Sequence, residues 1–129
     1  MSFFKSIFSS SDDKDSNESK INWTELTDLG QLNEIIATSI EKPVVIFKHS
    51  TRCSVSRMAL KQFENEFDSR DKVTPYFLDL IAHRNISNEI AHHFGVTHQS
   101  PQLILIKDGK AIYNVSHSDI DAGELKAKV

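Results

Sequence analysis

Apolar positions follow two different spacings along this chain, and the changes between them outline its elements. Leu29, Leu32, Ile35, Ile36 and Ile40 recur every three or four residues, which predicts a helix over 29–40 that Pro43 ends. Val44–Phe47 is an unbroken β-branched and aromatic run, the pattern of a strand buried on both faces. Ala59, Leu60, Phe63 and Phe67 return to helical spacing and predict a helix over 54–68. Val73–Leu80 reads as a second strand. Ile86, Ile90, Ala91 and Phe94 predict a third helix with Gly95 as its C-cap. Leu103–Ile106 and Ala111–Val115 flank Asp108-Gly109, a strong hairpin signal, and a last helix covers 120–128.

The predicted order is α-β-α-β-α-β-β-α. Strands joined through helices run parallel, and the hairpin adds an antiparallel edge. The expected fold class is α/β: three layers, with helices on both faces of a small mixed sheet. Residues 9–20 contain no apolar side chain and cannot offset the entropy of ordering, so they predict a flexible linker. In residues 1–10, Lys5 and several serines interrupt the apolar run, unlike the continuous core of a secretory signal. The expected division is a tail and linker over 1–20 and one domain over 21–129.

Composition narrows the function classes. The chain's 129 residues are enough for one domain with a proper core. A net charge of −3 gives no electrostatic case for nucleic acid or an anionic membrane. No apolar stretch approaches the ~20 residues of a membrane span. A single cysteine argues against a disulfide-stapled secreted domain and favours the cytosol.

That cysteine, Cys53, follows the first core strand through a basic, hydroxyl-rich turn and meets the start of the next helix. Sites in open α/β sheets form at such strand ends, and a helix N-terminus favours an anion. The thiolate is the nucleophilic form of cysteine. Lys48, His49 and Arg52 offer nearby positive charge, and Ser54 and Ser56 offer hydroxyls. Strand alternation points Lys48 and His49 in opposite directions, so only some of these groups reach the sulfur. The bland alternative, a small buried hydrophobe, fits poorly with polar neighbours at an element boundary.

Ser100-Pro101 opens the strand at Leu103. Sequence alone favours a trans bond there; a cis bond would present the Ser100 backbone to an extended ligand. The six histidines lack the spacing and cysteine partners of a zinc site, so no metal is expected. His92 and His93 diverge by about 100° on a helix. His49 alone lies near enough in sequence to Cys53 to set a local pH response. Trp23 reads as a core or domain-edge residue.

Together these segments resemble a thioredoxin fold. Lys48-His49-Ser50-Thr51-Arg52-Cys53, Asp79-Leu80-Ile81-Ala82-His83-Arg84, Phe94-Gly95-Val96, Ser100-Pro101-Gln102 and Ile106-Lys107-Asp108-Gly109-Lys110-Ala111 are similar to the monothiol bacilliredoxins of the bacillithiol system. The resemblance covers about residues 21–128. It implies that Cys53 attacks, that Ser56 replaces the second cysteine of dithiol relatives, and that Pro101 is the family's cis-proline. It gives His83, Arg84 and His117 no physical role.

Two departures stand out. Ser54 stands where many relatives have proline. Phe47 takes the place of the buried acid of dithiol thioredoxins, which argues against an acid-assisted dithiol cycle. The implied activity is thiol–disulfide exchange without a bound cofactor. A low-molecular-weight thiol, bacillithiol, is the implied co-substrate, and S-thiolated proteins are the clients. The competing readings are a non-catalytic adaptor and an iron–sulfur cluster binder. The Cys-Gly-Phe-Ser pattern of cluster-binding relatives is absent.

Overall fold

The computed structural model describes residues 21–68 and 72–129, so the expectations for the tail and linker over 1–20 lie outside the described residues. Its strands are β1 (Thr24–Glu25), β2 (Val44–His49), β3 (Thr74–Asp79), β4 (Gln102–Lys107) and β5 (Lys110–Ser116). Its helices are α1 (Gln31–Glu41), α2 (Ser54–Glu66), α3 (Arg84–Phe94) and α4 (Ala122–Lys128), and a 3-10 turn at His117–Asp119 precedes α4. The strand order is β1-β3-β2-β4-β5. β1 and β2 run parallel to β3, while β4 is antiparallel to β2 and β5 antiparallel to β4.

β2 lies at the centre of the sheet, and all six of its residues are buried. Val44 and Ile46 pack with Leu32 and Ile35 of α1 and Ile86 and Ile90 of α3. Val45 and Phe47 pack with Phe63 of α2 and Ala122 and Leu125 of α4. The alternation of a strand thus splits one sequence run between two cores. The α/β/α architecture is the one the sequence predicts.

The turns also follow the sequence signals. Gly95 caps α3 in the left-handed conformation at φ 67°, and Asp108 and Gly109 both take positive φ in the β4–β5 turn. Ser39 of α1 holds that turn, because its Oγ accepts the Gly109 N–H at 2.8 Å and its carbonyl accepts the Asp108 N–H at 2.9 Å.

Three expectations need correction. β1 is an extra strand of two exposed residues, too short to leave a periodic trace. Leu29 precedes α1, and at 44% and 65% exposure Leu29 and Ile40 do not belong to the core stripe. The first core strand runs two residues further than Phe47, because Lys48 and His49 pair with Leu78 and Asp79 of β3.

Candidate functional site

The carboxyl ends of β2 and β3 deliver the chain to a turn that ends at Cys53, the N-cap of α2. The turn closes through Cys53 N–H to the Ser50 carbonyl at 3.2 Å, and Arg57 N–H reaches back to the Cys53 carbonyl at 3.1 Å. The Arg57 guanidinium donates to the Thr51 carbonyl at 3.1 Å, adding a cation to this end of the helix. Cys53 is half-buried, and its side chain makes no capping hydrogen bond. Among the described residues the thiol has no hydrogen-bond partner, and it sits beside the first-turn N–H groups of α2, which have no partner within the helix and favour a negative charge.

The other predicted residues distribute around this turn unequally. Ser54 and Arg52 are exposed next to Cys53. Ser56 is fully buried, and its Oγ accepts the Ser50 N–H at 3.0 Å while lying 2.8 Å from His49 Nδ1. Ser56 thus braces the turn from inside; its hydroxyl is committed to His49 and Ser50, not to the sulfur. His49 lies on Phe77, with ring centroids 5.4 Å apart, and near Phe47 at 6.5 Å. Burial is the main cause holding its imidazole below the usual histidine range; Arg57 adds to this, and Asp79 and Glu64 partly offset it.

Lys48 is the clear correction. It is buried on the opposite, α3, face of the sheet, where Nζ donates to the Ser87 carbonyl at 3.2 Å and approaches His98 Nδ1 at 3.4 Å. Strand alternation that carries His49 under α2 sends Lys48 away from that side. Burial lowers its amine to about 8.

The Ser100–Pro101 peptide bond is cis. Gln102 pairs with Lys48, so extending the antiparallel register by one residue sets Pro101 beside His49 at the same end of the sheet as Cys53. The Pro101 carbonyl accepts the His117 N–H at 3.0 Å, and Ser100 Oγ is buried without a hydrogen-bond partner among the described residues. His117 takes φ 56° to make this contact, a backbone role that its place in the sequence did not signal.

Two hollows adjoin the turn. One, of about 210 Å³, runs between Val55 and Met58 of α2 and His117 and Ile120. The other, of about 300 Å³, lies between Thr51, Phe77, Asp79 and His83. Trp23 was not signalled as part of the support, yet its Nε1 donates to Glu64 of α2 at 2.7 Å and its ring lies 6.1 Å from Phe47.

A half-buried lone thiol at a helix N-cap, with a cis-proline at the same end of the sheet, is a redox geometry. Residues 24–125 match the family described as monothiol bacilliredoxin BrxC. This chain belongs to that family. A solved structure described as an oxidoreductase with a thioredoxin fold is 31% identical, covering 80% of this chain and 89% of its own, with a TM-score of 0.70. Thioredoxin from Malassezia sympodialis is 22% identical with a TM-score of 0.66, covering 90% of this chain and 95% of its own. Thioredoxin from Trypanosoma brucei brucei is 17% identical with the same TM-score, covering 83% and 87%. These two likenesses bear on the fold alone. As a monothiol bacilliredoxin with a thioredoxin fold, the chain is a thiol oxidoreductase whose general chemistry is thiol–disulfide exchange. No helix among the described residues is long and apolar enough to cross a membrane.

Proposed function

We propose that Cys53 removes a low-molecular-weight thiol, bacillithiol, from mixed disulfides on client proteins. The observation that carries this reading is the Cys53 side chain at the α2 N-cap, free of a capping hydrogen bond, in a chain with no second cysteine. The Cys53 thiolate attacks the small-thiol sulfur; the old S–S bond breaks, a new one forms to Cys53, and the client sulfur leaves as thiolate and takes a proton. A second small thiol then attacks the sulfur bound to Cys53, releasing a symmetrical disulfide and restoring Cys53.

Residues around the sulfur divide the work. The first-turn N–H groups of α2 and the charge of Arg52 favour the thiolate, with the exposed Ser54 hydroxyl beside it. Ser56 and His49 hold the turn from below. The backbone of Ser100, fixed by Pro101, offers an edge to an extended client segment. The site's place is the cytosol, where a lone thiol stays reduced between turnovers.

The test is exchange kinetics on a client carrying bacillithiol or glutathione. Wild type is expected to free the bacillithiol-bearing client faster, and Cys53→Ser to free neither. Equal rates would remove bacillithiol from the reading, and an active Cys53→Ser would remove Cys53.

A further inference from the structure

Lys48 is the least expected side chain in this fold. It is completely buried, and no carboxylate lies within ion-pair distance among the described residues. A buried cation without a counter-charge is costly, and that cost calls for a compensating role. Its partners answer part of the question. Besides the Ser87 carbonyl of α3, Lys48 Nζ faces His98 Nδ1 at 3.4 Å, and Ser87 Oγ approaches the same nitrogen at 3.1 Å. His98 belongs to the segment Thr97–Pro101 that leads into the cis-proline. Gln102 closes that segment on itself, donating from Nε2 to the Thr97 carbonyl at 2.8 Å, while its buried Oε1 has no partner among the described residues.

The donors and acceptors fix the proton arrangement. An ammonium can only donate, so His98 Nδ1 must accept, and the ring proton sits on Nε2. Charge reaches His98 from β2 through Lys48 and from α3 through Arg84, with Ser87 of α3 and Gln102 of β4 the neutral groups of the cluster. Burial first, then Lys48 and Arg84, hold the imidazole below its ordinary range. Protonation would turn Nδ1 into a donor that keeps Ser87 Oγ as acceptor but faces a second cation 3.4 Å away.

We propose that Lys48 is a positioning residue for the Thr97–Pro101 segment, held through a contact with His98 that survives only while His98 is neutral. Acidification then loosens the Pro101 side of the site through the His98 contact, not through the sulfur. The inference depends on the proposed exchange function only for its kinetic readout.

Exchange and iodoacetamide alkylation of Cys53 should be measured across about pH 5 to 8 on wild type, His98→Asn and Lys48→Met. Asparagine keeps an acceptor near the Nδ1 position without titrating. His98→Asn should hold the wild-type exchange rate near neutrality and lose part of the acid decline. Lys48→Met should lower exchange roughly tenfold near neutrality, as a displaced positioning group does. Alkylation profiles of the three should coincide. Exchange profiles that superimpose for wild type and His98→Asn would overturn the proposal, as would alkylation that shifts along with exchange. Amide NMR separates this from failure of the exchange reading: Ser100 and Gln102 resonances should follow the His98 titration in wild type and not in His98→Asn. If they do not, the coupling is absent whatever the protein's substrate.

Discussion

At the end of β2 the two faces of the sheet are finished with opposite chemistry. On the α2 side, Phe47, packed with Phe63 and Trp23, is followed by His49, which lies on Phe77, and that aromatic bed supports the turn carrying Cys53. On the α3 side, Ile46 is followed by Lys48, set among Ser87, His98 and Gln102. The aromatic side makes a stiff floor from packing alone, so the helix N-terminus above it keeps a fixed direction. The polar side makes a tie from few, directional and titratable contacts. Both ends converge on the site, one through the thiol turn and one through the segment before Pro101.

The contrast is broken most severely at Phe47, which is completely buried. Phe47→Ala should cost about 3–5 kcal/mol, read from urea unfolding, because it removes a large side chain from a packed face. A loss below about 1 kcal/mol would mean that the aromatic floor is not close-packed. On the other face, Lys48→Met should be neutral or stabilising near neutrality, since it removes an uncompensated buried charge. Its loss should appear in exchange rate, not in unfolding.

The pH dependence sharpens the same comparison. Lys48 titrates at about 8 in the native state and at ~10.4 when unfolded, so between those values the unfolded chain binds more protons. Wild-type stability should therefore rise across that window relative to Lys48→Met. His49 is also lowered, so stability should fall as pH drops below the unfolded value of ~6.5, and His49→Gln should flatten that decline. Urea midpoints measured across pH check both signs. Away from both faces, the Ser39 hydroxyl anchors the hairpin turn: Ser39→Ala should cost about 1–2 kcal/mol in urea unfolding and leave exchange unchanged.

The sequence made one side of this comparison much easier to read than the other. Val44–Phe47, the helical stripes and Asp108-Gly109 show the architecture because each carries its signal within a few residues. Cys53 is legible for the same reason, since strand, turn and helix start are contiguous. The alternation of Lys48 and His49 is legible too, but not what each one meets. Ser87 and His98 are 39 and 50 residues from Lys48, and Glu64 is 41 from Trp23, so only the folded chain brings them together. The inward turn of Ser56 depends on where His49 and the Ser50 amide lie, and no spacing rule supplies that. β1 escaped because two exposed residues borrow their extended form from β3.

The central claim is that the Cys53 thiol at the α2 N-cap takes the small thiol onto itself. Intact-mass spectrometry of the reduced protein, mixed with a bacillithiol-bearing client and quenched with acid, tests it most directly. The expected result is one bacillithiol added at Cys53 as one client thiol is released, with no adduct on Cys53→Ser. A client released without any adduct on Cys53, or an adduct joining Cys53 to the client itself as the sole product, would contradict it.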